Sequence, residues 1–158
     1  MNKKTAFVTG MTGQDGPYLE KLLLEKGYKV YGLVKRYSNP NLNHIKFLGI
    51  ENDIELITGD ITDDCNMNHL VKTIKPTEFY NLAAQSFVGS SWDLNKITSE
   101  INAIGPLNIL NAIKLNSPET RFYQASTSEM FGNSTGGLQD ENTPFHPRSP
   151  YGVAKLYA

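Results

Sequence analysis

Thr9-Gly10-Met11-Thr12-Gly13-Gln14-Asp15-Gly16 lies between a short apolar run, Lys4 to Thr9, and a segment carrying Leu19, Leu22, Leu23 and Leu24 at helical spacing. Both flanks decide how these eight residues are read. A strand before and a helix after turn three glycines, at positions 10, 13 and 16, into a strand-to-helix turn whose backbone can approach a pyrophosphate closely. The phosphates would then rest on the N-terminus of the helix, where unpaired N–H groups and the helix dipole favour negative charge. Without those flanks the same triplet is only a glycine-rich turn.

Working outward, the helix runs from Pro17 to Lys26, with Pro17 tolerated in its first turn and Gly27 as its stop. Lys29 to Val34 is a second strand, Lys35 to Asn43 a polar loop, and Ile54 to Thr58 a third strand. Thr62 to Lys75 reads as a helix closed by Pro76, and Glu78 to Leu82 as a fourth strand. After a loop from Ala83 to Trp92, one long helix is expected over Asp93 to Leu115. In it Ile97, Ile101, Ile104, Leu107, Ile109, Leu110 and Ile113 are spaced for burial. Arg121 to Ala125 is a fifth strand, and Ser126 to Arg148 is mostly loop. Strands alternating with helices imply an α/β fold, a doubly wound parallel sheet of the Rossmann type. Ligands of such sheets bind outside the carboxyl ends of the strands.

Composition narrows the class. The chain has 158 residues, enough for one domain, and 15 Lys and Arg against 16 Asp and Glu, a net charge of -1. No basic excess exists to neutralise phosphates, so neither a nucleic acid nor an anionic membrane is expected as partner. Cys65 is the single cysteine, which excludes an internal disulfide and argues for a reducing, cytoplasmic setting. Its place on a predicted helix suggests a small core residue. The opening apolar run is too short for a secretory signal, and no stretch approaches the roughly 20 residues of a membrane span. His44, His69 and His146 lack ligand spacing, so no metal site is expected. Trp92 is expected to pack at the end of the long helix or to line a pocket.

Three further strand ends carry chemistry. The second strand ends Val34-Lys35-Arg36, where an NAD enzyme would place an acidic residue. Arg36 could pair with a 2′-phosphate, favouring NADP, or could simply be a solvated cation. Asp60 and Ile61 follow the third strand, where an adenine would lie; Asp60 or Thr62 would look the same as a helix N-cap. Ser126-Thr127-Ser128-Glu129 follows the fifth strand, with a capping motif as the plain alternative. The sharpest local pattern is Ser149-Pro150-Tyr151, then Lys155. Ser149 is a good N-cap and Pro150 a good first helical residue, so Tyr151 and Lys155 fall one turn apart on one helix face. A phenol titrating near pH ~10 is a poor base at neutral pH, and an adjacent ammonium lowers that value. Tyr151 could then exchange a proton with a substrate hydroxyl, Thr127 sharing the same oxygen. Glu129 supplies a second acid/base that alcohol oxidation alone does not need. Tyr31 and Lys35 have the same spacing, but on a strand, so no catalytic role falls to them.

Four stretches together carry a resemblance: Thr9 to Gly16, Asn81-Leu82-Ala83-Ala84-Gln85-Ser86, Gln124 to Gly132, and Pro147 to Tyr157. They resemble the extended short-chain dehydrogenase/reductase family, and within it most closely the GDP-mannose 4,6-dehydratases. Thr-Ser-Glu ahead of Tyr-x-x-x-Lys is the most specific piece: dTDP-glucose dehydratases usually have Thr-Asp-Glu there, and simple reductases and epimerases lack the glutamate. The resemblance implies an NADP cofactor held by Gly10, Met11, Thr12, Gly13, Gln14, Asp15, Gly16, Arg36, Asp60, Ile61, Leu82, Ala83, Ala84, Gln85, Ser86, Tyr151 and Lys155. It implies GDP-mannose as substrate and Thr127, Glu129, Tyr151 and Lys155 as catalytic residues. In that scheme Tyr151 deprotonates the C4 hydroxyl, Glu129 removes the C5 hydrogen, water leaves from C6, and GDP-4-keto-6-deoxy-mannose results. It also implies a homo-oligomer in which Arg36 to Asn43 reaches a neighbour. Two departures stand out. Many members carry an Asp-Gly pair where this chain has Glu100-Ile101-Asn102-Ala103, and members are considerably longer. Residues 1–158 are therefore expected to be the dinucleotide-binding domain, incomplete, ending just after the Tyr-x-x-x-Lys motif and lacking the C-terminal substrate domain.

Overall fold

In the computed structural model, which describes residues 3–35, 41–133 and 137–158, five strands form one sheet. They are β1 (Thr5–Thr9), β2 (Lys29–Val34), β3 (Ile54–Thr58), β4 (Glu78–Asn81) and β5 (Arg121–Gln124). Every pairing is parallel, in the order β3-β2-β1-β4-β5. The chain moves outward from β1 to β3 and then returns to β4. That reversal opens a crevice at the carboxyl ends of β1 and β4.

Period-two alternation divides the core. Phe7, Leu33 and Phe79 face one side, against Met67, Leu70 and Val71 of α3 (Asp64–Ile74) and Ile109, Ala112 and Ile113 of α5 (Gly105–Asn116). Ala6, Val8, Val30 and Val34 face the other, with Leu23 of α1 (Asp15–Glu25) and Ile45 of α2 (Asn43–Phe47). The Phe7 and Phe79 rings, fully buried with centroids 4.9 Å apart, bind the two central strands; each stabilises the fold by about 2–3 kcal/mol.

The expected strands lie in place to within a residue, and the helices to within two at the N-termini of α1 and α3. Four local expectations need correction. The long helix is three pieces: α4 (Asn95–Ser99), a π-helical segment Glu100–Ile104, and α5. Its cause is local, because Pro106 has no N–H to continue the α-helical ladder and Gly105 N–H donates instead to Glu100 O, five residues back. Ile97, Ile104, Leu107 and Leu110, expected in the core, are each more than one-third exposed; for Leu107 and Leu110 the reason is that α5 turns its Ile109, Ala112 and Ile113 face to the core shared with α3. Cys65 is exposed on the first turn of α3, and its thiol is pushed up chiefly by the Asp64 carboxylate beside it. Trp92 is also exposed. The short helix α2 falls in a stretch whose composition marked no helix. No helix among the described residues is long and apolar enough to cross a membrane.

Candidate cofactor and catalytic site

The carboxyl edge of the sheet is locked before any ligand arrives. Thr9 Oγ1 donates to Asn81 Oδ1 at 2.5 Å, and Asn81 Nδ2 donates to Gln124 Oε1 at 2.8 Å. One polar rung thus ties the last residues of β1, β4 and β5. Thr9 and Asn81 are fully buried, so their pairing offsets a desolvation cost that either would suffer alone.

Above this rung a cleft of about 1000 Å³ opens. Gly10, Thr12, Gly13, Gln14, Asp15 and Gly16 form one wall, Asp60 and Ile61 a second, and Leu82 to Ser86 a third. Only glycine suits position 10: its φ is +72°, and a Cβ would stand 2.6 Å from the carbonyl carbon of Leu82. A Cβ on Gly16 would stand 2.7 Å from Met11 Cα, so α1 begins directly against the loop. The loop closes on itself through Gly13 N–H to Gly10 O at 3.0 Å. Its outer edge is held by His44, whose Nδ1–H donates to Gly13 O at 3.0 Å. Asp63 and Ser149 accept from the first turns of α3 and α6 (Pro150–Tyr157), whereas α1 has no side-chain cap. The amides that open α1 face a cleft floored by glycines, which suits the pyrophosphate of a dinucleotide.

Met11 is the exception among the loop residues: its side chain is fully buried in the core and does not line the cleft. Ile61 is buried in the layer below while contributing to the wall. Its carbonyl accepts from Asn108 Nδ2 at 3.0 Å. Arg36 lies outside the described residues. Lys35 before it lines the cleft and pairs with Asp60 at 3.1 Å. Asp60 also accepts from the Thr62 N–H at 3.0 Å and hydroxyl at 2.9 Å. Partial burial pushes the Asp60 carboxyl up, but Thr62 and Lys35 outweigh it and hold the group below the usual carboxylate range. The cap of α3 is Asp63, accepting from Asn66 N–H at 2.9 Å, so Asp60 is left at the cleft mouth.

Two clamps were invisible in the motifs. Asn102, buried in the π-helical segment, accepts from Gln85 N–H at 2.8 Å and donates to Gln85 O at 3.0 Å. The Gln85 side chain is held in turn by Ser90 and Thr98. The available signal was one polar residue in the apolar run Ile101-Asn102-Ala103. Thr9 and Asn81 carried a similar signal, each a polar residue closing an apolar strand.

The catalytic candidates stand beside the cleft, not in its walls. Ser149 Oγ accepts from Gly152 N–H at 3.0 Å and starts α6. Tyr151 and Lys155 are both buried on its inner side. Lys155 Nζ donates to Ala125 O at 2.8 Å and lies 5.9 Å from the Tyr151 ring centroid. Burial pushes the Lys155 ammonium down from its ordinary value. Thr127 accepts from Glu129 N–H at 3.2 Å and so caps a 3₁₀ turn, Ser128–Met130, in which Glu129 is half-buried. The two segments touch closely: a Cβ on Gly152 would stand 2.8 Å from Glu129 O. The fold thus gathers Thr127, Glu129, Tyr151 and Lys155 at the β5 end of the sheet. The cleft walls lie at the β1 and β4 ends of the same edge.

Comparison with known proteins shows the family. A sequence profile of the family described as GDP-mannose 4,6 dehydratase matches residues 7–158. The chain is 48% identical to the GDP-mannose 4,6 dehydratase of Cricetulus griseus and 47% to that of Homo sapiens, in both cases over 99% of its length and 44% of theirs. It spans less than half of these relatives. Among solved structures, the Bordetella bronchiseptica enzyme WbmH in complex with NAD+ aligns with a TM-score of 0.83 and 26% identity. That alignment covers 99% of this chain and 51% of the other. The dTDP-glucose 4,6-dehydratase of Bacillus anthracis in complex with NAD aligns with a TM-score of 0.78 and 26% identity, over 98% of this chain and 47% of the other. With a match that begins inside β1 and ends at the final residue, the chain belongs to the GDP-mannose 4,6-dehydratase family.

Proposed function

We propose that this chain is the cofactor-binding and proton-transfer part of an NADP-dependent enzyme converting GDP-mannose to GDP-4-keto-6-deoxy-mannose. Residues 1–158 make up its dinucleotide-binding domain, and the full-length protein performs the reaction. The observation that carries this reading is the packing of the Glu129 turn against α6, so that a glutamate stands on the segment that touches the helix of Tyr151 and Lys155.

The residues fit a dinucleotide. Gly10 to Gly16 cradle the pyrophosphate, with Met11 acting from the core, while Asp60, Ile61 and Leu82 to Ser86 flank the nucleoside portions. A cation rather than an acid at the end of β2, Lys35 with Arg36 following, supports NADP. When bound, NADP would accept hydride from the sugar C4 and return it to C6. Tyr151 takes the C4 hydroxyl proton, with Thr127 hydrogen-bonding the same oxygen. Lys155 favours the phenolate and holds the nicotinamide ribose. Glu129 removes the C5 proton, now acidified by the C4 ketone, and water departs from C6.

The protein would work in the cytoplasm as a homo-oligomer. Ile104, Leu107 and Leu110, left uncovered on one side of the α5 region, are an apolar stripe suited to another subunit. Incubating the full-length protein with GDP-mannose and NADP should yield a 4-keto-6-deoxy sugar nucleotide by NMR; unchanged substrate would refute the reading. A second reading, a reductase or epimerase, draws on fold neighbours such as the UDP-glucose 4-epimerase of Thermus thermophilus in complex with NAD (TM-score 0.82, 25% identity). Glu129→Gln separates the two. A dehydratase loses C5 proton exchange with solvent by at least about a hundredfold, the scale of a general base, whereas an enzyme acting only at C4 is unaffected.

A further inference from the structure

Glu20 lies on the inner face of α1 and is completely buried, and neither of its carboxylate oxygens has a hydrogen-bond partner. It points to the sheet at Gly32 of β2. A Cβ on Gly32 would stand 3.3 Å from Glu20 Oε1, and the Met11 thioether crowds the same spot. Glu20 and Met11 therefore share the space that Gly32 leaves empty. Met11 belongs to the glycine loop, whose backbone is packed against Gly16 at the start of α1. Glu20, Met11, Gly32 and Gly16 thus form one packed stack beneath the pyrophosphate cradle.

We propose that Glu20 is a positioning residue for the cofactor cradle that works only as the neutral acid. Protonated, it packs against Gly32 and Met11; ionised, it must seek water and lift α1 and the loop off β2. Among the described residues its surroundings offer no charge to offset ionisation: on α2, packed in the same layer, His44 is engaged with Gly13 O and Lys46 is exposed. β1 and β2 present Ala6, Val8, Val30, Gly32 and Val34 on this face, none titratable. On α1 itself Asp15 is exposed and Lys21 is paired with Glu25. The tyrosines of the same layer, Tyr28 and Tyr80, both donate their hydroxyls to Glu78. Burial alone pushes the Glu20 carboxyl from its ordinary 4.5 up to about 8.

The sign follows from linkage. Between pH 4.5 and about 8 the folded chain keeps a proton that the unfolded chain has lost. Each pH unit in that window costs about tenfold in the folding equilibrium constant, and the slope ends above it. A bound dinucleotide holds the loop down and keeps Glu20 neutral to higher pH, so affinity should fall as pH rises past 8, by up to about tenfold per unit.

This rests on the reading of the cleft as a dinucleotide site, and two measurements keep the claims apart. NADPH affinity of the full-length protein, by fluorescence titration from pH 6 to 9.5, should bend downward near pH 8, and Glu20→Gln should remove the bend. A wild-type profile with no bend, or an identical bend in the variant, overturns the proposal. If NADPH and NADH both fail to bind at pH 7, the cofactor reading falls. Urea unfolding at pH 5, 6, 7 and 8 then decides Glu20 by itself: wild type should lose stability relative to Glu20→Gln, and parallel curves overturn the proposal.

Discussion

At the scale of single residues, the site depends on atoms that are missing as much as on those present. Gly10→Ala must place a methyl group 2.6 Å from the Leu82 carbonyl carbon at a φ of +72°. The left-handed backbone costs about 1 kcal/mol and the forced displacement of Leu82 about 1–3 kcal/mol more. We expect a loss of about 2–4 kcal/mol in urea unfolding, together with at least a tenfold weaker NADPH affinity; a shift under about 0.5 kcal/mol would show that the turn is looser than described. Gly10, Asp60, Tyr151 and Lys155 were legible because each stands at a recognisable offset from a strand end or helix cap. Asn102, Thr9 and Asn81 were not, because their partners lie 17 to 72 residues away in sequence. Glu20 was hidden for a different reason: on sequence it is a charged residue among leucines, and only packing shows it turned inward.

At the scale of elements, strands were read best. A central strand such as β1 is a short apolar run bounded by turns. The edge strands β3 and β5, with exposed residues along them, still carry enough aliphatic or aromatic residues to be recognised. Helical periodicity was less reliable wherever the backbone departed from 3.6 residues per turn. Within α5 itself the ~100° step per residue sets Ile109 and Ile113 inside and Leu107 and Leu110 outside, so the apolar residues expected to form one stripe lie on two sides. Asn102, which clamps Gln85, lies in the π-helical segment itself, where a pattern of ~3.6 residues per turn does not apply. The cap of α6 is simpler. Ser149→Ala removes the acceptor of the buried Gly152 N–H and should destabilise the protein by about 1–2 kcal/mol, fraying the turn that carries Tyr151. Urea unfolding with Ser149→Ala and Ser149→Thr tests this: threonine should restore most of the loss, and an alanine variant as stable as wild type would show that the cap is dispensable.

For the whole molecule, the order β3-β2-β1-β4-β5 sets cofactor cleft and proton-transfer residues along one edge of the sheet. Sequence alternation was sufficient to predict this arrangement, since parallel strands with helical crossovers leave their loops on that edge. What sits opposite the edge was not legible, and the chain spans 44% of the length of its Cricetulus griseus relative. The proposed chemistry nonetheless makes a demand that the full-length protein must meet. In that proposed scheme the hydride that leaves C4 returns to C6 of the same sugar, while Glu129 and Tyr151 would move protons only. The decisive measurement is therefore isotopic: full-length protein, catalytic NADP and GDP-mannose carrying deuterium at C4, with the product examined by NMR. Internal return predicts deuterium at C6 of the 4-keto-6-deoxy product with no accumulation of NADPH. Deuterium accumulating in NADPH, or a C6 hydrogen drawn wholly from solvent, would contradict it.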